Sequence, residues 1–202
     1  MQNVVLSGGS FAYGDGKVFI SIPKVASTSI YDTLFNKLKW GSHTHEKYLQ
    51  AVKDNWEFWA VIRHPVDRWI SGICQMYSRG VNKQSEYEEH RNRLMDKECI
   101  SWFIDSSPHD THTTPQADYL KHVKGVRIVK FEDIDRLCGY LDIPESSIPH
   151  LNSNIESEYQ RTAWVKVSKI IEEAPKLGAS ICSMYADDLA LWHTGVSQAK
   201  AK

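Results

Sequence analysis

The 202-residue chain has no apolar run approaching the roughly 20 residues that cross a bilayer, and Met1 to Gly9 lacks the basic start and apolar core of a signal peptide. A soluble protein with no membrane span is expected. Neither sign of charge is in excess: 24 Lys and Arg stand against 25 Asp and Glu, for a formal net charge of −1. Such a chain has no general attraction for nucleic acid or an acidic membrane, so any anion must be held by locally placed cations. Cysteine is scarce: Cys74, Cys99, Cys138 and Cys182 are far apart and form no C-x-x-C pair. They read as buried free thiols, and no zinc or other metal site is expected. Internal repeats and low-complexity tracts are also missing. What remains, 42% hydrophobic and 24% charged residues, suits one well-buried core, read as a single domain over residues 1–202.

The most informative stretch runs from Val18 to Ile30. Val18-Phe19-Ile20-Ser21-Ile22 is a buried-strand pattern, and it enters Pro23-Lys24-Val25-Ala26-Ser27-Thr28-Ser29 at the mouth of an amphipathic stretch. Backbone N–H groups of a small-residue turn, a helix start and the charge of Lys24 converge there, an arrangement suited to a phosphate. The loop lacks the glycines of the G-x-x-x-x-G-K-[ST] motif, so an ordinary P-loop kinase or GTPase fits poorly.

A second apolar strand, Phe58-Trp59-Ala60-Val61-Ile62, ends in Arg63-His64-Pro65-Val66-Asp67-Arg68-Trp69-Ile70-Ser71, where Pro65 suits a first helical turn. Arg63 then sits at a strand end facing a helix start. Its planar fork of donors and the hydroxyl of Ser71 suit a second phosphate. Arg68 fits either a helix-surface ion pair or a supporting contact to the nucleotide. His64 is expected to pack or cap locally. Two phosphate sites after neighbouring strands suggest a bisphosphorylated nucleotide.

On these residues the chain resembles the sulfotransferase superfamily, which uses 3′-phosphoadenosine-5′-phosphosulfate (PAPS). Ile22-Pro23-Lys24-Val25-Ala26-Ser27-Thr28-Ser29 is similar to its 5′-phosphosulfate loop, in the form found among heparan 2-O-sulfotransferases and their bacterial relatives. Arg63-His64-Pro65-x-x-Arg68-x-x-Ser71 is similar to its 3′-phosphate motif. Weaker signatures of the carbohydrate branch follow in order: His112-x-x-Pro115-Gln116-x-x-Tyr119-Leu120, Phe131-Glu132-Asp133-Ile134, Leu151-Asn152 and Tyr185-Ala186-x-Asp188-Leu189. The resemblance covers about residues 18–193. It implies a P-loop-like sheet, PAPS as donor without a metal, His112 and Gln116 on the acceptor side, and Asn152 near the adenine. Animal relatives are usually Golgi membrane proteins, so the missing anchor points to a cytoplasmic enzyme of bacterial or viral origin.

The rest of the chain alternates strands and helices. Ile30, Leu34 and Leu38, with Tyr31 and Phe35, make one helical stripe, and Ser42–Asn55 is polar. Arg79–Lys97 reads as a charged, solvated face, Ser106–Pro115 as a loop, Val126–Phe131 as a strand and Asp133 as the cap of a helix carrying Leu137 and Leu141. Pro144–Gln160 reads as a lid, and Ile181, Tyr185, Leu189 and Trp192 as one last helix. The fold class is therefore α/β, with a mainly parallel central sheet flanked by helices.

Sulfuryl transfer needs a stabilised leaving group and a base for the acceptor hydroxyl. Lys24 is placed for the leaving phosphate, with loop N–H groups, from Ala26 on, and the Ser27, Thr28 and Ser29 hydroxyls holding oxygens. A histidine or a carboxylate serves as base near neutral pH. His43, His45 and Glu46 are the candidates; the piece resembles the histidine-bearing segment of small bacterial relatives. A carbohydrate acceptor is expected, and the sequence leaves another small molecule or a peptide open. Two other classes stay open: an ATP-dependent phosphotransferase, which would want an acidic strand end where Arg63 stands, and a non-catalytic nucleotide-binding module.

Overall fold

The computed structural model describes residues 10–38, 41–42, 45–80, 97–106, 112–144 and 158–194. They divide into two compact units interleaved along the chain. The first comprises Met1–Arg63, Pro115–Leu151 and Ala190–Lys202, and the second His64–Thr114 and Asn152–Leu189. The helices in chain order are α1 (Ser27–Asp32), α2 (His45–Lys53), α3 (Pro65–Gly80), α4 (Lys97–Ser106), α5 (Gln116–Leu120), α6 (Ile134–Leu141), α7 (Glu158–Glu173), α8 (Pro175–Met184) and α9 (Ala186–Thr194). None of them is long and apolar enough to cross a membrane.

The first unit is a sheet with helices. Its strands are β1 (Ser10–Gly14), β2 (Lys17–Ser21), β3 (Gly41–Ser42), β4 (Glu57–Ile62) and β5 (Arg127–Lys130), in the order β3-β1-β2-β4-β5. The three strands legible in the sequence, β2, β4 and β5, pair in parallel. Phe58 to Ile62 are all buried, as expected of a parallel strand covered on both faces. β1 is an addition: it pairs antiparallel with both β2 and β3. Its two-residue turn, Asp15-Gly16, has φ of 52° and 73°, the paired positive values of a type I′ hairpin that matches the strand twist.

Local chemistry explains the helices of this unit. α1 is continued by a π-helical turn, Thr33–Lys37. The Ser29 carbonyl accepts from both the Thr33 N–H and the Thr33 hydroxyl, the latter at 2.8 Å. That back-bonding loosens the ladder, and the Leu38 N–H reaches the Thr33 carbonyl five residues back at 3.2 Å. The polar segment after β3 forms α2, pinned by buried Tyr48, whose ring meets Phe11 and Phe58 edge-on. α2 ends with Asn55 left-handed and the Trp56 N–H on the Ala51 carbonyl at 2.9 Å, a Schellman closure. Asp133 occupies the N-cap position of α6 but makes no side-chain cap bond. Its carboxylate is drawn toward Arg136 at 3.6 Å instead, which corrects the capping expectation.

The second unit is helical. Trp69, Ile70 and Ile73 of α3 pack with Ile100 and Ile104 of α4, Val167 and Ile171 of α7 and Ile181 of α8. α7 was not anticipated, although Ala163, Val167 and Ile171 recur at the i, i+4 spacing of a buried face. The single last helix expected over 181–192 is two: Tyr185, at φ −111° and ψ 40°, separates α8 from α9. Cys74 and Cys138 are buried thiols. Most of the charged run and of the lid expected from the sequence lies outside the described residues.

Candidate functional site

Because β2 and β4 run in parallel, their C-terminal ends leave the sheet at the same edge, on strands about 4.8 Å apart. In open α/β sheets this is the edge at which ligands are held. β2 delivers the loop from Ile22 to Ala26, and β4 delivers Arg63.

The loop is anchored by Ile22 and Val25, both at 0% exposure. Between and beyond them, Lys24 and Ala26 adopt left-handed φ values of 69° and 59°, while Val25 does not. An L-residue pays about 1–2 kcal/mol for that conformation. Alternation of hand turns successive N–H groups toward one side of the chain, the geometry of an anion-binding nest. Ala26 then starts α1: its carbonyl accepts the Ile30 N–H at 3.1 Å, and its methyl supplies no side-chain cap. Ser27 and Thr28 form the first turn of α1, and Ser29 is buried within it. The side chains of Ser27 and Thr28 lie outside the description.

Arg63 is held at both ends. Its guanidinium stands over the Phe131 ring, 4.9 Å from the centroid. The ring quadrupole holds a cation placed over its face, and the guanidinium's N–H donors lie in the guanidinium's own plane. Its backbone meets Gln116, which sits at 0% exposure. The Arg63 N–H donates to Gln116 Oε1, and Gln116 Nε2 donates to the Arg63 carbonyl, each at 2.9 Å. Gln116, expected from the resemblance on the acceptor side, holds the Arg63 peptide in this structure. One residue along, Lys130 stands over the Trp192 ring at 3.8 Å. Phe131, read as the end of a strand within a weak signature, and Trp192, read as a helix residue, were not expected beside cations, because only tertiary pairing brings them there.

The base candidates follow β3. β3 and β2 are both antiparallel to β1, so β3 points toward the same sheet edge as β2, two places away in the order β3-β1-β2. α2 begins at His45, and Glu46 is exposed in its first turn, where a carboxylate also favours the helix dipole. His43 and the His45 side chain lie outside the described residues.

Ser71 and His112 belong to the second unit, and Asn152 lies outside the described residues. Ser71 is half-buried on α3. Its neighbour Gly72 is closely approached by the His112 carbonyl, 2.5 Å from where a Cβ would stand. Arg68 is not the surface residue one sequence reading made it: it is 1% exposed, in a polar interior with Thr113, Tyr185 and Asp188. The Tyr185 hydroxyl donates to the Thr113 carbonyl at 2.5 Å. Burial pushes the Tyr185 phenol up to about 12, with Arg68 acting to lower it and Asp188 to raise it. Among the described residues no group of three or more His, Cys, Asp or Glu side chains is arranged to hold a metal ion.

Comparison with family models, curated proteins and solved structures found nothing that matches the chain.

Proposed function

We propose that the protein is a sulfotransferase that moves the sulfuryl group of PAPS to an acceptor hydroxyl on a carbohydrate. The observation that carries this reading is the pairing, at one sheet edge, of a left-handed lysine loop after β2 with an arginine after the neighbouring parallel strand β4. Two polar strand ends of this kind suit a nucleotide with phosphate at both its 5′ and 3′ positions. The alternating hand of residues 24–26 suits the 5′-phosphosulfate, and the in-plane donors of Arg63 suit the 3′-phosphate. In the reaction the acceptor oxygen bonds to sulfur, the bond from sulfur to the bridging oxygen breaks, and Lys24 stabilises the charge that develops on the departing phosphate. The acceptor proton passes to the base, for which His43, His45 and Glu46 remain the candidates. The course of β3 toward the same edge supports that segment. Ser71, which rests on the sequence reading alone, and His112 and Asn152, which enter only through the sequence resemblance, carry no weight here.

Calorimetry without added metal tests the reading, with 3′,5′-adenosine bisphosphate (PAP), 5′-AMP and ATP as ligands. The wild type is expected to prefer PAP to 5′-AMP. Arg63→Ala should lower PAP affinity by about 10- to 100-fold, as for a lost charge-assisted hydrogen bond, while 5′-AMP binding changes little. Tighter binding of ATP once Mg²⁺ is present, or no binding of PAP, would overturn it.

A further inference from the structure

The β4–β5 ladder ends at the pair Ile62 and Lys130, so the peptide groups of Arg63 lie one residue beyond it. Gln116 takes up that place. A primary carboxamide carries an acceptor and a donor side by side, as a peptide does, and the two 2.9 Å bonds make Gln116 a one-residue extension of the ladder. Gln116 opens α5, a short helix seated by buried Tyr119 and Leu120. An amide so engaged at 0% exposure works on Arg63 and not on an acceptor.

We propose that Gln116 is a positioning residue that sets selectivity for the 3′-phosphate by fixing the Arg63 peptide. This rests on the donor reading above. The Arg63 side chain has its root fixed by Gln116 and its tip fixed by Phe131. With the root released, the fork loses the alignment that bidentate contact to a phosphate requires, although every guanidinium donor remains.

Gln116→Glu and Gln116→Leu test it, with PAP and 5′-AMP affinities measured against the wild type at each pH. In Gln116→Glu the protonated carboxyl accepts and donates as the amide does, whereas the ionised carboxylate only accepts and faces the Arg63 carbonyl. That variant should therefore match the wild type at low pH and lose about tenfold or more in PAP affinity as its carboxyl ionises, with 5′-AMP unaffected. In Gln116→Leu the PAP preference should fall, and adding the same change to Arg63→Ala should cost no further preference. A pH-independent ratio to wild type in Gln116→Glu, or an unchanged preference in Gln116→Leu, would overturn the proposal. Should Gln116→Leu fail to fold, Gln116→Glu decides alone. Hydrogen exchange of the Arg63 amide separates the two layers. Fast exchange in the wild type refutes the clamp itself. A protected amide in a wild type with no PAP preference instead refutes the donor reading, and the selectivity role with it.

Discussion

Two glycine-to-alanine changes should move stability in opposite directions. At Gly72, on α3, a Cβ would stand 2.5 Å from the His112 carbonyl oxygen, 3.0 Å from its carbon and 3.2 Å from Thr113 Cγ2. The first contact is backbone, so it cannot be relieved by a rotamer change. Overpacking of this kind costs about 1–3 kcal/mol, occasionally more. Alanine recovers about 1 kcal/mol of helix propensity, leaving a net loss of up to about 2 kcal/mol. At Gly139, on α6, a Cβ would meet nothing within 4 Å, and only the propensity gain of about 1 kcal/mol remains. Urea unfolding followed by circular dichroism should show a lower midpoint for Gly72→Ala and a higher one for Gly139→Ala. With a slope of about 1–3 kcal/mol per molar, shifts of about half a molar are expected. Equal stabilisation by both changes would refute the close packing of α3 on the His112 segment.

The buried phenol of Tyr185 makes a pH-dependent prediction. Its folded value is raised from 10.0 to about 12, so its contribution is whole below pH 10 and is lost as the pH climbs toward 12. At most about 3 kcal/mol disappears across that window, and the alkaline slope of the urea midpoint should flatten in Tyr185→Phe. Asp188→Asn should lower the Tyr185 value and Arg68→Met should raise it, read by NMR of the labelled tyrosine ring; opposite signs would remove Arg68 and Asp188 from its surroundings. Ala26→Gly relieves a left-handed alanine and should raise the thermal midpoint, by about 0.5–1 kcal/mol in stability, and a lowered midpoint would mean that the loop is not held in this conformation.

Much of the first unit was legible because its signals are local. Continuous apolar runs marked β2 and β4, a short β-branched pair between Arg127 and Lys130 marked β5, and the polar residues at the ends of β2 and β4 marked Lys24 and Arg63. β1 carried an equally local signal, the Asp15-Gly16 turn, which becomes meaningful only once Phe11 to Tyr13 are seen to pair across it. α7 carried a readable 3.6-residue period. Arg68 was harder. A charged residue in a helix reads as solvated, and only the packing around Thr113, Tyr185 and Asp188 turns that face inward. The break at Tyr185 is of the same kind, since the apolar spacing of residues 181–192 runs through it without interruption.

The chain's own order of residues determined which strands are buried, where each ends, and that a lysine loop and an arginine follow two of them, because hydrophobic period and turn chemistry act over a few neighbours. Tertiary structure alone decided that β2 and β4 are adjacent and parallel, which brings those ends to one edge. It also decided that Gln116, 53 residues from Arg63, holds its peptide and that Phe131 lies under its guanidinium. A buried amide and a stacked ring have partners chosen by the free energy of the whole packed unit, and no spacing along the chain encodes them.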